Sequence, residues 1–161
     1  MSDSRTEPPS AVPLGRLERG TLARREVLGD AHVDRAEASL TDFDRPFRDL
    51  ITEGAWGTVW ADDTIARRER SMLTLALLAA TGNFEEIPMH VRATENTGAS
   101  REDVMQAFLH VAIYAGVPKA NHAIKLAKAT FAELDAERRA GLDSPADSTA
   151  DADPAAGRDH E

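Results

Sequence analysis

The run MLTLALLAATG, Met72 to Gly82, constrains the fold of this chain more than any other segment. Its side chains are apolar almost all the way round a helix, so no face of it suits solvent. It is also far shorter than the roughly 20 residues needed to cross a bilayer. Such a segment reads as a buried or interface helix. A chain of 161 residues can build one core around it, yet the run is more hydrophobic than one small helical subunit easily covers. A homo-oligomer is therefore expected.

The remainder agrees with an all-α fold. Alternating β-branched patterns are missing from 16–140, where Ala, Leu, Arg and Glu dominate. About six helical segments are expected, over 17–28, 44–60, 65–81, 83–97, 100–115 and 118–139, with a short one at 33–39. Gly29, Gly82, Gly98 and Gly116 mark helix ends. Ser100 and Asp103 resemble a capping box, Pro118 suits the first position of the last helix, and Pro46 is tolerated in a first turn. Pro88 would kink its helix unless that helix begins near Ile87. The three-proline arm 1–15 and the polar Ala/Asp/Pro tail 141–161 read as disordered, leaving 16–140 as the folded domain.

Charge and composition exclude several functions. The net charge of −9 is largely a property of the tail, because Asp135 to Glu161 holds eight acids against three arginines. No basic block supports nucleic-acid binding. No apolar leader precedes the domain and no segment is long enough for a membrane, so a cytoplasmic location is expected. Cysteine is absent, which removes disulfides, thiolate ligands and thiol chemistry together.

The segment NFEEIPMH, residues 83–90, places Glu86 four residues before His90, one turn apart on a helical face. From spacing alone the pair could be a proton relay, half of a metal site, or an exposed ion pair. A metal site lacks support, since no His-x-x-x-His or His-Glu-x-x-His companion supplies further ligands. Glu85 points about 100° away from this face. Trp56 and Trp60 also share a face, either as packing or as an apolar wall of a binding site. Arg67, Arg68 and Arg70 open a helix, where cations are disfavoured and a compensating anion is expected. His110 and His122 lie on helices that supply core residues and read as packed or interface histidines. His160, in the tail, carries no signal.

Four stretches together, RREVLGDAHVDRA (24–36), WGTVW (56–60), EEIPMHVRATENTGASRED (85–103) and HVAIYAGVPKANHA (110–123), resemble the carboxymuconolactone decarboxylase family. That family lies within the alkylhydroperoxidase D-like superfamily. The resemblance covers about Arg16 to Leu134, and GDAHVDRA with WGTVW points to the 4-carboxymuconolactone decarboxylases within it. It implies an all-α subunit that assembles as a trimer or hexamer. It also implies a decarboxylase without a cofactor, forming 3-oxoadipate enol-lactone and CO2 from a dicarboxylate lactone in protocatechuate breakdown (the β-ketoadipate pathway). Redox relatives carry Cys-x-x-Cys four residues before the histidine; aligned on His90, those cysteines fall at Asn83 and Glu86. Both thiols are gone, so peroxidase chemistry is excluded while the histidine and a carboxylate remain.

On this resemblance His90 is the expected proton donor, with Glu86 holding it protonated by favouring its charged form. His32 is a candidate substrate contact. Arg70 and Arg67 are candidate carboxylate clamps, with Arg24 and Arg25 behind them. Trp56, Trp60 and Tyr114 complete the expected substrate-binding set, although packing would also explain Tyr114. Two other readings share the fold: a decarboxylase of a different lactone or 3-oxo acid, and a non-catalytic ligand-binding oligomer.

Overall fold

The structure, a computed structural model, describes residues 13–142. The expectations for the rest of the N-terminal arm, for the tail beyond Leu142 and for His160 lie outside the described residues. Seven α-helices are present: α1 (Arg16–Leu28), α2 (Asp30–Ala38), α3 (Arg45–Ile51), α4 (Arg67–Thr81), α5 (Ile87–Thr97), α6 (Arg101–Tyr114) and α7 (Val117–Leu142). There is no strand among the described residues. The short second helix is a full element that starts directly after Gly29, three residues earlier than expected. The expected single helix over 44–60 instead splits into α3 and a π-helical segment, Thr52–Trp60.

Local signals account for most boundaries. Ser100 Oγ accepts from the Asp103 N–H at 3.1 Å while Asp103 Oδ2 accepts from the Ser100 N–H at 2.9 Å, so the capping box is formed. α5 begins at Ile87, which puts Pro88 in its first turn, where no hydrogen bond is lost. A 3₁₀ turn, Phe84–Glu86, precedes it and leaves Glu86 at the start of α5.

Two apolar clusters share α5. One packs Leu75 and Ala79 of α4, Ile87 and Val91 of α5, Val104 and Phe108 of α6, and alanines of α7. The other packs Ala23 and Val27 of α1, Trp56 and Trp60 of the π segment, and Ala93 of α5. α1 and the π segment approach so closely that backbone meets backbone. A Cβ on Gly20 would lie 2.0 Å from the Thr52 carbonyl oxygen, and one on Gly57 would lie 2.1 Å from that of Arg16. Both positions therefore require glycine, and the WGTVW segment is fixed against α1 through them.

The apolar run in α4 is only half covered. Leu75 and Ala79 are buried, but Leu73 and Leu77 remain 55% and 63% exposed. α6, which packs on α4, exposes Leu109, Ile113 and Tyr114, and Val117 follows at the start of α7. No helix among the described residues is long and apolar enough to cross a membrane.

Candidate active site

His90 sits on α5 at the inner edge of the Trp56–Trp60 cluster, with 9% of its surface exposed. Its ring lies parallel to that of Trp60, with centroids 6.3 Å apart and an interplanar angle of 13°. Trp56 stacks behind Trp60 at 5.4 Å. The tryptophan pair is thus packed in the core, with Trp60 facing the His90 ring. His90 Nδ1 is sealed from solvent and has no hydrogen-bond partner among the described residues. An orphaned acceptor costs less than an orphaned N–H, so we assign the neutral ring's proton to Nε2.

The electrostatics of His90 correct the expectation from sequence. Burial pushes its pKa down to about 4, with a further lowering by the neighbouring charge of His32. Glu86 makes no hydrogen bond to the His90 ring and does not hold it protonated. The reason is that Glu86 is exposed at the mouth of the helix, whereas the imidazole points into the apolar cluster. Desolvation then dominates. At pH 7 His90 is neutral.

Glu86 acts on His32 instead. His32, half-buried on α2, has its pKa lowered first by burial, then by Arg35 and Arg24, while Glu86 opposes these by favouring the imidazolium. The fold thus brings His32 near both Glu86 and His90, whose ring stacks on Trp60. Several tethers place α2 there. Glu37 accepts from Arg24 at 3.2 Å and also from Arg48. Arg25 donates to Asp30 at 2.9 Å and to Asp34 at 2.8 Å. Asn96 of α5 donates to the Val27 carbonyl at 3.0 Å, pinning the end of α1 to the helix that carries His90. Sequence reading missed Asn96 and Glu37, whose partners lie up to 69 residues away in the chain, and it missed Arg35, which the structure sets near His32.

The other expected residues are placed differently. Arg70 donates to the Asp62 carboxylate at 2.9 Å and its carbonyl at 2.8 Å, and Arg67 pairs with Glu26. Arg68 pairs with Asp103. The compensating anions expected for this cluster are therefore protein carboxylates, and a substrate would have to displace them. Tyr114 is 85% exposed at the end of α6, beside the ring of His110. His110 and His122 are both exposed on the subunit, and His122 contacts Phe84 at 4.4 Å between centroids. Glu86 also borders an open groove of about 680 Å³ lined by Gly82, Asn83, Phe84, Glu85 and His122. No group of three or more His, Asp or Glu side chains suited to a metal ion occurs among the described residues.

The carboxymuconolactone decarboxylase family model matches residues 45–129, half of the chain and the helices that carry Trp60, Glu86 and His90. The chain belongs to the carboxymuconolactone decarboxylase family. It is 39% identical to a 4-carboxymuconolactone decarboxylase of Acinetobacter baylyi over 119 residues, covering 74% of this chain and 89% of that one. It is 36% identical to a nitrosuccinic acid decarboxylase of Metarhizium robertsii over 118 residues, 73% of this chain and 82% of that one. A 4-carboxymuconolactone decarboxylase of Pseudomonas putida is 50% identical over 42 residues, 26% of this chain and 88% of that one. The first two alignments are longer than the segment that the family model matches.

Proposed function

We propose that this chain is a carboxy-lyase that converts 4-carboxymuconolactone to 3-oxoadipate enol-lactone and CO2 in protocatechuate catabolism. One observation carries the site assignment: a buried, neutral imidazole stacked on Trp60 lies beside a second imidazole that is itself under the influence of a carboxylate. The substrate is an unsaturated lactone bearing a carboxylate and a carboxymethyl group. The bond from the ring carbon to the departing carboxylate breaks, and its electron pair passes through the ring double bond onto the lactone carbonyl. CO2 leaves and a dienolate remains. The ring is its own electron sink, so the protein need supply only orientation, exclusion of water, stabilisation of the oxyanion and one proton.

Neutral His90 suits oxyanion stabilisation. Its Nε2–H donates to the oxygen on which charge develops, and a fixed donor on the dry Trp60 wall is worth more than the same bond in water. His32 suits proton delivery: it lies nearer solvent than His90 and has Glu86 to favour its charged form. Its imidazolium gives a proton to the carbon next to the lactone carbonyl, forming the C–H bond of the product. Solvent then reprotonates it. Residues 16–140 would carry this chemistry in the cytoplasm, as a trimer or hexamer joined through the exposed leucines of α4 and α6.

A second reading has specific support in the Metarhizium relative. Nitrosuccinic acid is also a dicarboxylate whose electron pair, after CO2 is lost, can pass to an adjacent acceptor, there a nitro group. The same neutral donor would serve either acceptor. Purified protein supplied with each compound separately, with CO2 and product followed, decides between them. A kcat/KM for the lactone well above that for nitrosuccinate is expected; the reverse ranking would overturn the lactone assignment, and no CO2 from either would overturn the enzyme reading.

A further inference from the structure

Resting on the decarboxylase reading, we propose that Arg35 receives the carboxylate that the substrate retains, and that this pairing loads His32 with the proton later delivered to carbon. Helix register gives the first argument. On α2, Asp30, Asp34 and Glu37 fall on one face, and that face is tied to Arg24, Arg25 and Arg48. His32 and Arg35, three residues apart, fall together on the opposite face. The tethered face fixes the helix, and the other carries an imidazole and a guanidinium side by side.

Availability gives the second. Arg24, Arg25, Arg48, Arg67, Arg68 and Arg70 each donate to a protein carboxylate. Arg35 is exposed and makes no ion pair among the described residues. A guanidinium already engaged must give up a partner to take a substrate carboxylate, whereas Arg35 need not. Its planar fork can meet a carboxylate through two parallel hydrogen bonds.

Which carboxylate it takes follows from the reaction. Pairing the departing group with a cation would stabilise the substrate and be lost in the transition state, slowing CO2 release. The carboxymethyl group keeps its charge throughout, so binding it assists the complex without opposing the chemistry. The departing carboxylate is left to the apolar side, towards Trp60.

The charged groups around His32 then make the coupling. Arg35 on its own helix and Arg24 on α1 disfavour its protonation, Glu86 before α5 favours it, and neutral His90 adds no charge. Arg24 is already offset by Glu37, which leaves Arg35 as the uncompensated cation. A carboxylate placed on Arg35 cancels that repulsion and adds an attraction of its own. His32 therefore gains its proton when substrate binds, next to the carbon that will need it.

Two measurements test this. With 4-carboxymuconolactone, Arg35→Gln is expected to raise KM about tenfold or more, the scale of a lost charge-assisted pair, while Arg35→Lys recovers part of that loss. In NMR titrations of the ligand-free protein, the His32 imidazole is expected to titrate at higher pH in Arg35→Gln than in wild type. The ring-saturated lactone dicarboxylate, which lacks the double bond needed to take up the electron pair, is expected to raise the His32 titration of wild type and to move that of Arg35→Gln less. An unchanged KM in active Arg35→Gln, or identical His32 titrations in the two ligand-free proteins, would overturn the proposal. If wild type neither turns over the lactone nor binds its saturated analogue, the decarboxylase reading itself falls; that result is distinct from an active enzyme indifferent to Arg35.

Discussion

Replacing His90 by Gln should remove a defined part of the protein's acid sensitivity. Burial holds the folded-state pKa of His90 at about 4, below its ordinary 6.5. The unfolded chain therefore binds a proton that the native state refuses across this interval, and stability rises with pH there. Lowering the pH from 7 to 5 costs the native state ~2 kcal/mol through this one group, and continuing to pH 4 brings the loss to ~3 kcal/mol. Gln has no titrating proton and keeps a polar amide near the same size. Urea unfolding of both proteins at pH 7 and pH 5, at one fixed protein concentration, isolates the effect. Contributions from the carboxylates and from His32 are common to both chains and cancel in the difference. Wild type should lose ~2 kcal/mol more than His90→Gln over that interval. Equal losses would mean that His90 is not held neutral by burial, and its role as a neutral donor would go with it.

Other outcomes follow from the packing. Gly57→Ala should destabilise by ~3 kcal/mol or more, or prevent folding, because its Cβ would sit 2.1 Å from the Arg16 carbonyl oxygen. Gly54→Ala, which meets nothing within 4 Å, should be neutral or slightly stabilising in the same denaturation assay. Sedimentation at micromolar concentration should give a species larger than 17.4 kDa, and Ile113→Asp, at a position 78% exposed, should shift it toward the monomer without unfolding it. A wild-type monomer would contradict the reading of the α4–α6 face as an interface.

Much of the helical framework is legible in the chain because its determinants are local. Ser100 and Asp103 satisfy one another three residues apart, Pro88 is harmless once α5 starts at Ile87, and Gly29, Gly82, Gly98 and Gly116 each end or join helices at positive φ. The features that sequence did not show depend on distant partners. Nothing near Thr52 announces the π-helical register, which goes with the close approach of this segment to α1 at Gly57 and Gly20. The carboxylates that occupy Arg67 and Arg68 lie 41 and 35 residues away, so unpaired and paired arginines look alike along the chain. His90 and Glu86 have the spacing of a coupled pair, but the ionisation of His90 is set by burial, which spacing cannot report. Arg35 is inconspicuous along the chain for the opposite reason: it makes no ion pair among the described residues.

The most direct test of the central claim is to add the purified protein to 4-carboxymuconolactone in D2O and follow CO2 and the product early in the reaction. A decarboxylase working as described releases one CO2 per lactone consumed and gives 3-oxoadipate enol-lactone with a single deuterium, placed stereospecifically, on the carbon next to the lactone carbonyl. An unconsumed lactone, or ring opening without CO2, would contradict it.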